Sequence, residues 1–160
     1  MHKYPALFML LLLTACANLP EFDTSKVNQQ LTPETAKKTP ATAKGQTVLW
    51  GGTILSSKNL KTSTRLELLA YPVDSDGWPN RNAKPIGRFL LDHTGYLETA
   101  DYAEGRLLTV VGPIAGVEKG KLGETEYIYP VVQAQQKHLW PKSGQKSGTR
   151  VHFGIGVIFH

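Results

Sequence analysis

Cysteine is all but absent: Cys16 is the only one among 160 residues. A lone thiol excludes disulfides within the chain, and a thiolate metal centre with them. Long apolar runs are missing too. The longest near the start, 6–13, has eight residues, whereas a helix needs ~20 to cross a hydrocarbon core. No Gly-x-Ser-x-Gly elbow occurs, so the motif that exposes a hydrolase serine is lacking. His93, His138, His152 and His160 lack metalloprotease spacing and read as surface or structural residues. Acid is the scarcer charge, giving a formal net charge of +5. A positive surplus favours acidic surfaces such as lipid headgroups. Here Lys37, Lys38, Lys44, Lys137, Lys142, Lys146 and Arg150 fall in polar segments, so they read as solvated rather than as a shaped patch.

What the start does contain is a secretory signal over 1–15. Lys3 makes a weakly positive beginning, 6–13 is the apolar stretch, and small residues lead to Cys16. Removing 1–15, which carries Lys3 and no acid, leaves 17 basic and 13 acidic residues, a net +4. Leu13-Thr14-Ala15-Cys16 resembles the bacterial lipobox, in which cysteine is acylated through sulfur and becomes the first mature residue. The expected group on Cys16 is a diacylglycerol with an N-acyl chain, and no other cofactor is expected. Several chains anchor firmly where a single one is marginal. Ala17 stands where Asp would retain such a protein at the inner membrane, so the similarity to lipoprotein sorting signals implies the outer membrane.

Residues 16–44 read as a lipidated cysteine and a flexible tether, rich in Thr, Ala, Pro, Lys, Gln and Asn. As a coil, 17–44 would reach about 30 Å. Thr32-Pro33-Glu34 predicts one short helix through Lys38, by its N-cap and its proline at the first helical position.

From residue 45 a single domain begins, and 45–160 suffices for one core. Alternation and β-branched content predict strands over 47–55, 64–71, 86–91, 107–114 and 126–134, with a last strand over 150–160. Gly51-Gly52 predicts a bulge or sharp bend, Pro130 an edge position or bulge, and apolar residues on both faces of 107–114 a central strand. The expected class is all-β: a small OB-like barrel of five to six strands, with a β-sandwich as the alternative.

Several motifs recur in order: Trp50-Gly51-Gly52 with Ile54, Leu69-Ala70-Tyr71-Pro72-Val73-Asp74, Gly87-Arg88-Phe89, and Asp101-Tyr102 with Gly105-Arg106. Val110-Val111-Gly112, Gly123-Glu124, Tyr127, Tyr129-Pro130-Val131-Val132 and His138-Leu139-Trp140 follow. Together with the lipobox they resemble the Slp family of outer-membrane lipoproteins. That resemblance implies a non-enzymatic part in the envelope under starvation or stress, anchored by lipid on the periplasmic face.

Asp74, Asp76 and Asn80 lack the full ligand series of a calcium loop and read as a turn. Arg88, Glu98, Asp101 and Arg106 read as structural ion pairs. Trp50, Trp78 and Tyr102, with Arg88 and Arg106, are the candidate ligand-binding residues, because aromatic rings on an OB-like face stack on sugars or bases. An exported protein points to an envelope glycan or lipid headgroup, or an envelope protein, and not to nucleic acid. Exposed coplanar rings beside Arg88 or Arg106 would favour binding, and buried rings a structural part.

Overall fold

A computed structural model describes residues 19–142. The signal, Cys16 and the strand expected over 150–160 lie outside the described residues. Two short helices, α1 (Pro33–Lys38) and α2 (Pro40–Ala43), precede six strands. These are β1 (Thr47–Asn59), β2 (Ser63–Tyr71), β3 (Gly87–Thr94), β4 (Leu107–Leu122), β5 (Thr125–Gln133) and β6 (Gln136–Leu139).

The sheet runs β1-β2-β3-β5-β4, and β4 returns to pair with β1. Five strands thus close into a barrel of OB type, and the sandwich alternative is excluded. All the neighbouring pairs are antiparallel except β3 with β5, which are parallel over Leu90–Asp92. Antiparallel alternation sends Leu66, Leu68 and Ala70 of β2 inward, with Phe89 and Leu91 of β3 beside them. Val48, Trp50, Ile54, Leu108, Val110, Ile114 and Val132 complete the core.

β4 is the spine. Its first half pairs with β1 on one edge and β6 on the other, and its second half pairs with β5. A register shift between Ile114 and Gly116 bends it there. The strand runs on through 116–122, and Gly123-Glu124, with Gly123 at φ 63°, closes the hairpin. Residues 92–94 likewise extend β3 beyond the strand expected over 86–91. Pro130 lies just before the three-residue pairing with β3, where its missing N–H costs no ladder bond on that side. Gly51-Gly52 works through close approach. A Cβ on Gly52 would lie 2.2 Å from the Leu69 carbonyl oxygen, and one on Gly51 would meet Val73, Pro79 and Thr109. The bulge itself falls one turn of the pleat later, between Ile54 and Ser56.

The tether expectation fails from about residue 22 onward. Asp23 N–H donates to the Gln136 side chain, Val27 bridges to Thr47, and Asn28 N–H donates to the Thr47 carbonyl at 2.9 Å. α1 begins at the expected cap: the Thr35 amide donates to Thr32 Oγ1, with Pro33 at the first helical position. It then lies across the opening between β3 and β5. Glu34 N–H donates to the Ile86 carbonyl, and Lys37 Nζ sits 4.3 Å from the Tyr127 ring centroid. Ala36 and Ala43 are buried in the core, at 0% and 1% exposure. Polar composition hid this because docking uses backbone hydrogen bonds and two methyl groups. The leader is a strap belonging to the barrel.

The 72–86 loop folds over the outside of β1 and β4. Thr109 Oγ1 donates to the Gly77 carbonyl, and Trp140 Nε1 donates to Thr109 Oγ1. This explains the apolar outer face of β4: Leu107, Thr109 and Val111 are buried beneath covering chain.

Candidate functional site

Strap, barrel wall and loop enclose a groove of about 520 Å3, within the range of small-molecule sites. Its walls are Leu31, Leu49, Trp50, Tyr71, Val73 and Ile86, with Thr24, Thr32 and Ser75 supplying hydroxyls. Asp74 also lines it. Its Oδ1 accepts the amides of Asp76 and Trp78, so this carboxylate shapes the loop as a turn. Among the described residues, no lysine or arginine lines the groove.

Trp50 lines the groove but is almost wholly buried. It is 3% exposed, packs edge-on against Phe89 at 5.2 Å, and donates Nε1–H to the Leu31 carbonyl at 2.7 Å. Trp78 is half-buried on the outside of β4, crossing Trp140 at 60° with ring centroids 4.7 Å apart. Tyr102 is half-buried against the core, and its carbonyl accepts the Ser57 hydroxyl. Burial and then Asp101 push its phenol up from the usual range.

Arg106 donates Nη1 to the Asp101 carbonyl and Nη2 to the Trp140 carbonyl, both at 2.8 Å. In place of the ion pair expected of Arg106, two backbone carbonyls take its guanidinium. Arg88 pairs with Glu67 at 2.8 Å, and Tyr129 OH donates to the same carboxylate oxygen. Trp78 and Arg106 both meet Trp140, and Tyr102 lies near Arg106, whereas Trp50 and Arg88 occupy other walls. No coplanar aromatic platform beside an arginine results from these five.

The face of β2 and β3 that OB folds commonly use for ligands is occupied by the protein's own side chains. Arg65 donates to both Asp92 oxygens at 2.7 Å and reaches Glu118 at 2.6 Å. Asp92 first and Glu118 second raise its pKa, so the cluster is a clamp joining β2, β3 and the β4–β5 hairpin. Sequence reasoning missed Arg65, Glu67 and Phe22, because their partners lie 21–62 residues away in the chain for the first two. Phe22 likewise meets the 72–86 loop at Gly77.

His138 packs edge-on to Trp140 at 4.3 Å. Burial holds its imidazole below the usual 6.5, and burial with Lys137 does the same for His93. A depressed histidine pKa means the unfolded chain binds more protons, so stability falls as pH drops through the unfolded value. The melting temperature should therefore decline between about pH 7.5 and about pH 5.5, and His138→Gln should flatten the decline. Thermal melts across that window check it. The carboxylates of Asp23, held down by Ser25, and Glu34, held down by Lys37, act only at lower pH.

Residues 13–156 match the model of the outer membrane lipoprotein Slp family. The chain belongs to the Slp family. Among its relatives, an uncharacterized lipoprotein YeaY of Escherichia coli is 33% identical over 81% of this chain and 67% of its own length. Outer membrane protein Slp of Escherichia coli is 30% identical over 81% of this chain and 69% of its own length. An uncharacterized protein of Haemophilus influenzae is 38% identical over 61% of this chain and 54% of its own length. The match thus spans about half to two thirds of these relatives. Two solved structures are similar to this Slp-family barrel at low identity. A mitochondrial single-stranded DNA-binding protein of S. cerevisiae, Rim1, has TM-score 0.37 at 10% identity, over 60% of this chain and 95% of its own. A small single-stranded DNA-binding protein of Streptomyces coelicolor has TM-score 0.38 at 15% identity, over 59% and 94%.

Proposed function

We propose that this chain is an outer-membrane lipoprotein, acylated at Cys16 and facing the periplasm, that serves envelope integrity under starvation or stress without enzymatic chemistry. One observation carries the choice between structural part and ligand-binding module. The aromatic and basic side chains that would recognise a ligand are engaged inside the protein: Trp50 with Phe89 and Leu31, Arg88 with Glu67, Arg106 with two carbonyls. The barrel then acts through contacts with envelope proteins or lipid. Cells lacking the protein and held in stationary phase should admit solutes that an intact outer membrane excludes. The wild-type gene should restore the barrier and Cys16→Ser should not. Equal permeability with and without the protein contradicts the proposal.

The groove favours a second reading, a module for an envelope glycan or lipid headgroup. Its apolar walls and hydroxyl rim, with no lysine or arginine among the described lining residues and with Asp74 turned to loop amides, suit an uncharged part of such a molecule. A ligand at 100 times its dissociation constant adds ~2.7 kcal/mol to the folded state. A saturable rise in melting temperature with peptidoglycan fragments or lipopolysaccharide, lost in Leu49→Arg, would put this reading first.

A further inference from the structure

The docked strap changes how far the barrel can stand from the membrane. Cys16 lies three residues before Leu19 and six before Phe22. A fully extended chain gains at most ~3.6 Å per residue, so Phe22 stays within about 22 Å of the acylated sulfur-bearing residue. Phe22 is fixed: its ring lies 2.6 Å from where a Cβ on Gly77 would stand. The next residue is held as well, through the Asp23 amide on Gln136. The same span read as a free coil through residue 44 would reach about 30 Å on average and far more when stretched.

We propose that the bilayer surface is itself a partner of this protein: the barrel lies against the leaflet that holds Cys16, on the side where the strap enters. That side carries Leu19, 50% exposed, and half-buried Phe22 beside the 74–78 turn. The occupant is the lipid interface, because the strap joins this side to the acyl chains by at most six residues. Leu60, Tyr96 and Leu122 are exposed as well, so what singles out Leu19 is its place between anchor and barrel, three residues from Cys16. On this orientation the β4–β5 hairpin, which leaves β1 beyond the bend between Ile114 and Gly116, carries its tip at Gly123-Glu124 away from the leaflet. This inference rests on acylation of Cys16.

The test uses full chain purified from membranes with its lipid and returned to phospholipid vesicles carrying a headgroup-attached quencher. Acylation blocks Cys16, so a single engineered thiol at Ser75→Cys or Glu124→Cys takes a fluorophore alone. The Ser75 label should be quenched several-fold more strongly than the Glu124 label. Inserting a flexible twelve-residue segment between residues 18 and 19 should abolish the difference. Equal quenching at both sites, or stronger quenching at Glu124, overturns the orientation. An intact mass without acyl groups overturns the anchor and this inference together, whereas an acylated chain with two unquenched labels overturns this inference alone.

Discussion

Ala36→Asp should lower the folding free energy by on the order of 4 kcal/mol, at the upper end for a single substitution. Ala36 has no exposed surface and packs in the core with Ala43, so an aspartate there must either bury an unpaired carboxylate or expel α1. Expelling α1 loses the Glu34 amide bond to Ile86 and uncovers the opening between β3 and β5. Ala41→Asp is the control. Ala41 is exposed on the neighbouring helix, and its substitution should stay within about 0.5 kcal/mol. Urea denaturation of both variants decides the matter. Near-equal stability would mean that the strap is dispensable to the barrel.

Phe89→Ala should cost about 3–5 kcal/mol, the usual range for truncating a buried aromatic. Phe89 of β3 is the largest fully buried side chain among the described residues, with the Trp50 ring edge-on to it. The loss should be coupled to the strap, since Trp50 holds Leu31 through its indole N–H. Trp50→Phe keeps most of the packing and removes that bond, for about 1 kcal/mol. The double variant should therefore fall short of the sum of the two, because a cavity at 89 already loosens the ring that makes the bond. Additive losses would mean that core and strap are stabilised independently.

The strands were legible because each carries a period-two pattern with its inward residues in register, as in Leu66, Leu68 and Ala70. Strand ends were less so. β4 runs on to Leu122 through Gly116 and Gly120, where no apolar alternation marks it, because hairpin pairing with β5 sustains that part outside the core. The helix at Thr32 was legible from its cap chemistry, but its place on the barrel was not. Nothing local indicates that Ala36 faces a hole between β3 and β5, since that hole exists only once the barrel closes. For the candidate site, the types were legible and the partners were not. Arg88 and Arg106 stood out as functional charges, yet Glu67 lies 21 residues from Arg88 and the Trp140 carbonyl 34 from Arg106.

Hydrogen exchange of the backbone amides of residues 27–44 in the folded protein tests the central claim most directly. Docked on the barrel, the amides of Asn28, Glu34 and Ala36 should be protected, opening with a free energy that approaches that of global unfolding. Glu34 and Ala36 should lose that protection in Ala36→Asp. Exchange across 27–44 at the rate of an unstructured peptide would contradict the account, restoring a long tether and a barrel free of the membrane.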